Sequence, residues 1–160
     1  MKKLILLSIL LIVGCEEDNA LEQAVAEIEQ ESEECAGTFS AGTFTYNQSS
    51  LQAFYYFSLV TIDGVLVDSD DWVGAFKDDV CVGARKWDTS QCGSGVCDLP
   101  AMGDDGNDAT VGYMTSGDIP SFKIYDASEE RYYDATPSEY IPWTNYGINS
   151  IESLNATTNP

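Results

Sequence analysis

Residues 51–62 read LQAFYYFSLVTI, and this stretch decides the fold. Successive side chains leave a strand on opposite faces, and here both faces are apolar. Phe54, Tyr56 and Val60 lie on one, Tyr55, Phe57 and Leu59 on the other. A strand with one wet face would alternate apolar with polar. A run this uniform, rich in aromatic and β-branched residues, predicts a strand covered on both sides near the middle of the fold.

Downstream, residues 71–84 (DWVGAFKDDVCVGA) predict a hairpin turning at Asp78-Asp79. A two-residue turn sets Gly74 opposite Gly83 and Ala75 opposite Val82. Facing glycines leave a gap where a large ring can lie, and Trp72 or Trp87 is expected to fill it. Residues 122–126 and 131–135 predict a second hairpin with Asp126 opposite Arg131, and residues 148–154 a last strand. Residues 88–120 read as loop. Short runs rich in Val, Ile, Phe, Tyr and Thr, broken by Gly, Asp, Asn and Pro, predict an all-β domain over residues 38–160. The expected form is an antiparallel β-sandwich, Ig-like or jelly-roll-like.

Upstream the texture changes. Lys2 and Lys3 precede an apolar run over residues 4–13, interrupted only by Ser8. That run is too short to span a bilayer but fits a signal-peptide core, so residues 1–14 are expected to be cleaved. It ends in LIVGC, residues 11–15, which resembles the lipobox of bacterial lipoproteins; the resemblance makes Cys15 the acylated first residue, with the bilayer as partner. Glu16, Glu17 and Asp18 follow directly and resemble the surface-export signal of outer-membrane lipoproteins. Residues 16–36 are acidic, with Leu21, Val25 and Ile28 at helical spacing and Asn19 placed as a cap. Residues 15–37 are therefore expected to form an acidic, partly helical tether.

Twenty-seven acids against seven bases give a net charge of −20, and loss of the leader, with two lysines and no acid, makes it −22. Such a surface repels nucleic acid and anionic headgroups. The chain contains no histidine, which excludes Ser-His-Asp and Cys-His catalysis and histidine-bound zinc. Lys77, Lys86 and Lys123 lack a Ser-x-x-Lys context. Carboxylate pairs will arise by chance among so many acids, but the length does not suit a deep cleft. The expected function is non-catalytic.

Four cysteines remain after Cys15. An even number in an exported chain reads as two disulfides. Cys92 and Cys97 bracket a glycine-containing loop and suit one bridge, leaving Cys35 with Cys81, although three pairings are possible in principle. A four-thiolate zinc site lacks the two short Cys-x-x-Cys clips it needs.

Asp104, Asp105, Asn107 and Asp108 cluster around Gly106 and are candidate calcium ligands, since a hard cation takes six to eight oxygens. The same residues also favour an ordinary turn. Asp68, Asp70 and Asp71 form a weaker second cluster. Trp143, beside Pro142, is expected to be an exposed platform for a sugar ring, with Trp72 and Trp87 as further ligand-binding candidates; small β domains also use such rings as core.

Segments AFYYF (53–57), DWVGAF (71–76), CVGA (81–84), GDIP (117–120) and FKIY (122–125) resemble a family of extracellular β-sandwich modules. These occur in secreted and cell-surface proteins of environmental bacteria, often as tandem units, and the similarity covers residues 40–156. It implies a sandwich fold outside the cytoplasm and names no ligand. The expectation is a surface-exposed outer-membrane lipoprotein for adhesion or extracellular assembly, with calcium ordering its loops. The alternative is a lipoprotein that captures glycans, and a lipid-anchored hydrolase is a distant third.

Overall fold

The computed structural model describes residues 38–41 and 44–159, with side chains from Phe44 onward. Cys15, Cys35 and the expected leader and tether lie outside the described residues. The described elements are ten strands and three single-turn 3-10 segments: β1 (Thr38–Ala41), β2 (Phe44–Asn47), β3 (Gln52–Ile62), β4 (Val65–Leu66), β5 (Trp72–Lys77), β6 (Val80–Lys86), β7 (Asp98–Met102), β8 (Ser121–Asp126), β9 (Arg131–Pro137) and β10 (Ile148–Ala156). The all-β expectation holds.

β3 occupies the centre, as its two apolar faces required. The main sheet runs β4-β3-β10-β9-β8-β5-β6, and β7 also pairs with β3. β10 lies along one edge of β3; the other edge holds β7 beside residues 52–56 and β4 beside residues 61 and 62. The β3–β10 pair is parallel, from Ile148↔Phe54 to Ala156↔Ile62, while the other strand pairs are antiparallel. The expectation of purely antiparallel pairing is thus corrected to a mixed sheet. Some 85 residues separate the partners, enough chain for the crossover a parallel pair demands.

Ala53, Tyr55 and Phe57 point into the core, whereas Phe54 and Tyr56 are half-buried on the outer face. Beyond Phe57 the parity changes: Leu59 is exposed and Val60 buried. β10 does the same, burying Ile151 and then Leu154. Because Phe57 pairs with Ile151 and Val60 with Leu154, both strands exchange faces together and register survives. The faces read from simple alternation hold for residues 54–57 and fail beyond them.

The sheet curls until β6, at one end of the strand order, meets β7 at the other. The contact is at Gly83, where an added Cβ would sit 1.8 Å from the carbonyl oxygen of Pro100. Tyr55 and Phe57 meet Phe122 edge-on inside the curl, at ring distances of 5.6 and 5.2 Å. Val73, Ala75, Ile124, Leu99 and Leu154 complete this interior, all fully buried.

The first hairpin turns at Asp78-Asp79 as expected, with Lys77 opposite Val80. A bulge then shifts the register by one, so Gly74 faces Ala84 and Ala75 faces Gly83. Val82 is the extra residue. The gap at Gly74 is filled by Phe44, whose ring lies 2.7 Å from where a Cβ would stand, and not by Trp72 or Trp87. The second hairpin has the expected register, Asp126 opposite Arg131.

Candidate functional site

The acidic loop after β7 is organised around one carboxylate. Asp105 Oδ2 accepts from the backbone N–H and hydroxyl of Ser50 at 3.0 and 3.1 Å. Its Oδ1 accepts from the Thr110 hydroxyl at 2.7 Å and from the Asn107 side-chain amide and backbone N–H at 2.9 and 3.2 Å. The Ser50 N–H and then the Thr110 hydroxyl hold its acidity well below the ordinary carboxylate range. Asp104 accepts from Gly106 N–H in a local turn. Asp105 therefore spends its lone pairs pinning residues 104–110 to the chain ahead of β3. Among the described residues no group of three or more acidic or thiol side chains is placed to hold a metal ion.

A second pin stands beside it. Lys77 at the end of β5 reaches Asp118 at 2.7 Å and the carbonyl of Tyr113 at 3.0 Å. Asp118 also accepts from the N–H and hydroxyl of Thr115. The Lys77 ammonium foremost, then the Thr115 N–H, lowers the Asp118 pKa from 3.8 to about 2. Tyr113 in turn accepts the N–H of Asn47 on β2 at 2.7 Å. These contacts knit residues 103–118 to β2, β3 and β5, and they are structural in kind.

Asp71, from the weaker acidic cluster, is buried and ties two loops. Its carboxylate accepts from Asp68 N–H at 2.8 Å and from Ala127 N–H at 2.9 Å. Asp70 instead reaches Lys86 at 2.7 Å on the surface.

The expectation of an exposed Trp143 is corrected. Trp143 is 2 % exposed, its indole N–H donates to the Ala101 carbonyl, and its ring fills the space over Gly103. Trp87 is also buried, against Phe57, and Trp72 is half-buried in β5. The three tryptophans lie in separate settings and form no shared row.

Cys92 and Cys97 are bridged, with Cα atoms 4.9 Å apart. Ser94 and Gly95 make the return, both with positive φ. Cys81 on β6 has no disulfide partner among the described residues, and burial pushes its thiol pKa up, the opposite of nucleophile activation.

Two exposed features are not singled out by the sequence, in which Tyr146 is one aromatic ring among many. Tyr146 is 73 % exposed yet sits at φ 61°, a conformation that costs a tyrosine energy. It is held there by Tyr146 N–H to Gln52 carbonyl at 2.7 Å and by the Asn145 side chain on Gln52 N–H. The second is β10 itself. Its ladder with β9 begins at Leu154↔Pro137, with the Ser138 N–H on the Ser153 carbonyl just before it, and residues 148–151 are registered with β3 alone. The buried side-chain nitrogen of Asn149, in the same segment, finds no acceptor among the described residues. No pattern in residues 148–152 announces an open edge, because that depends on where β9 stops.

No known protein family, curated protein or solved structure matches the chain.

Proposed function

We propose that this chain is an exported lipoprotein, anchored through Cys15 at the outer membrane and displayed at the surface, whose body is a non-catalytic module for adhesion or extracellular assembly. The observation that carries the reading is the Cys92–Cys97 bridge behind a lipobox-like leader, since such bridges persist outside the reducing cytoplasm. The curled sheet, with β7 packed against β6, is compatible with a sandwich module of the extracellular kind. The polar side chains of the acidic loop bond to one another instead of converging on an open point, which suits a body that presents surfaces more than one that turns over a substrate. Calcium enters this reading through Asp104 and Asp108, because Asp105 is already saturated by donors. A melting-temperature rise in millimolar calcium that disappears in Asp104→Asn supports it; a flat titration removes calcium from the account.

The test of the main reading is location and attachment. Whole cells fed labelled palmitate should incorporate it into the chain, lose it in Cys15→Ala, and show the protein to added protease. A soluble cytoplasmic chain with reduced thiols would overturn the reading.

Glycan capture is the second reading, and Tyr146 favours it: an exposed ring in a strained, well-tethered turn suits stacking on a pyranose face. Binding on a glycan array that is lost in Tyr146→Ala would support capture over assembly.

A further inference from the structure

The outer face of β5, β8 and β9 carries an aromatic row. Trp72 is the registered partner of Tyr125, and Tyr125 of Tyr132. Registered partners project from the same face of a sheet. Val73, Ile124 and Tyr133 alternate with them and are buried inside the curl, so the three rings stand on the outside. Trp72 and Tyr125 are half-buried, and Tyr132 is 45 % exposed. From the first strand to the third the row spans about 10 Å. Tyr132 is held on two sides, by Tyr125 with ring centroids 4.9 Å apart and by Phe44 at 5.3 Å. Its ring is therefore preorganised as well as accessible.

Two surface ion pairs flank the row. Lys86, the β6 partner of Trp72, reaches Asp70 at 2.7 Å. Lys123 and Asp134, registered partners in the neighbouring row of the same face, pair with each other. Within each pair the ammonium keeps further N–H donors and the carboxylate further lone pairs.

We propose that this row is a binding site for a neutral glycan chain, with sugar rings stacked on Trp72, Tyr125 and Tyr132 and hydroxyls bonded to the two flanking ion pairs. The inference rests on the glycan-capture reading above and gives it a site other than Tyr146. The chemistry of the row selects the occupant. A pyranose offers a flat C–H face to aromatic rings and, around it, hydroxyls that each donate and accept. Such hydroxyls replace water on both partners of an ion pair. A protein laid flat over the row would instead bury two ion pairs, at a desolvation cost that can exceed their attraction. Nucleic acid also stacks on rings, but its phosphates are repelled by a chain of net charge −20. The same field disfavours uronate polymers, whereas a neutral chain meets flanking pairs that are themselves neutral. Three rings in line suit a run of sugar units better than a single one.

Native electrophoresis of the full chain in neutral detergent, through gels that contain a polymer, tests the proposal. The probes are mannan, starch and hydroxyethylcellulose as neutral chains, alginate and polygalacturonate as acidic ones, and gelatin as a polypeptide. At least one neutral polysaccharide is expected to retard the chain, and neither the acidic polymers nor gelatin. Tyr132→Ala is expected to weaken that binding about tenfold, the loss of one stacked ring. Asp134→Ala, which removes an acceptor and no ring, is expected to weaken it with unchanged melting. Retardation that survives both substitutions would overturn the proposal, as would retardation by gelatin or an acidic polymer alone. Retardation lost in Tyr146→Ala but kept in Tyr132→Ala sinks the row and leaves glycan capture standing. A chain that no polysaccharide retards sinks both.

Discussion

The indole N–H of Trp143 donates to the carbonyl oxygen of Ala101 at 2.9 Å, in a fully buried setting. That bond joins the loop before β10 to β7, and the ring above Gly103 leaves no space there for a side chain. The residue that looked most like a ligand platform is a post between two segments of core.

Its replacement should therefore show in stability. Trp143→Phe removes the indole bond to the Ala101 carbonyl, which β3 still faces with the Ala53 N–H, and should cost about 1 kcal/mol, and Trp143→Ala about 3–5 kcal/mol. Urea unfolding measures both, and an unchanged midpoint in Trp143→Ala would contradict the burial.

Two glycines should respond differently to the same added methyl. At Gly83 a Cβ would strike the backbone oxygen of Pro100, so the contact of β6 with β7 must open. Gly83→Ala is expected to cost about 3 kcal/mol, the upper end for overpacking. At Gly74 the obstacle is the Phe44 ring, a side chain that can shift. Gly74→Ala should cost about 1 kcal/mol. Equal losses, again by urea unfolding, would show that the curl does not depend on Gly83.

Asp105 and Asp118 make stability depend on acid. Both carboxyls have folded-state pKa values below the ordinary 3.8, that of Asp118 at about 2. The unfolded chain therefore binds protons first as pH falls. Their contribution is complete above pH 4 and drains away as pH drops from 4 through 2. Asp105→Asn and Asp118→Asn should each flatten that part of the melting-temperature profile. Parallel profiles for variant and unaltered chains would contradict the assignment.

Disulfide connectivity is open to direct mapping. Non-reducing digestion should yield one peptide pair joined through Cys92 and Cys97. A second pair, Cys35 with Cys81, is expected if the chain is exported with its four remaining cysteines oxidised. Removing the short bridge as Cys92→Ser with Cys97→Ala should cost about 2 kcal/mol by loop entropy. Ready alkylation of Cys81 in the native, unreduced protein would contradict the second bridge.

How much of this was legible follows from the range of each cause. The central place of β3 was readable because two apolar faces need two covers. Both hairpins are readable because their turns are local; the Val82 bulge moves the first register, and Gly83 beside it is the kind of in-strand glycine that accompanies one. β7 was lost among loop residues because Pro100 argues against a strand. It is tolerated because β7 forms its ladder with β3 alone, and the sideless Gly83 of β6 lets the Pro100 carbonyl approach closely. The parallel β3–β10 pair joins segments far apart in sequence, and no local pattern names a distant partner. Trp143 was misjudged by its neighbour Pro142, since an irregular segment can be buried when a glycine opposite makes room. The bonding of Asp105 is legible only in part: Asn107 and Thr110 are local donors of the turn, but Ser50, more than fifty residues upstream, supplies the two that occupy its other oxygen.

The proposed acyl-anchored body outside the cytoplasm stands or falls with mass spectrometry of the N-terminal peptide from native membranes. Its first residue is expected to be Cys15, carrying a diacylglycerol thioether. An unmodified chain beginning at Met1, or a cleaved chain with a free Cys15 thiol, would contradict it.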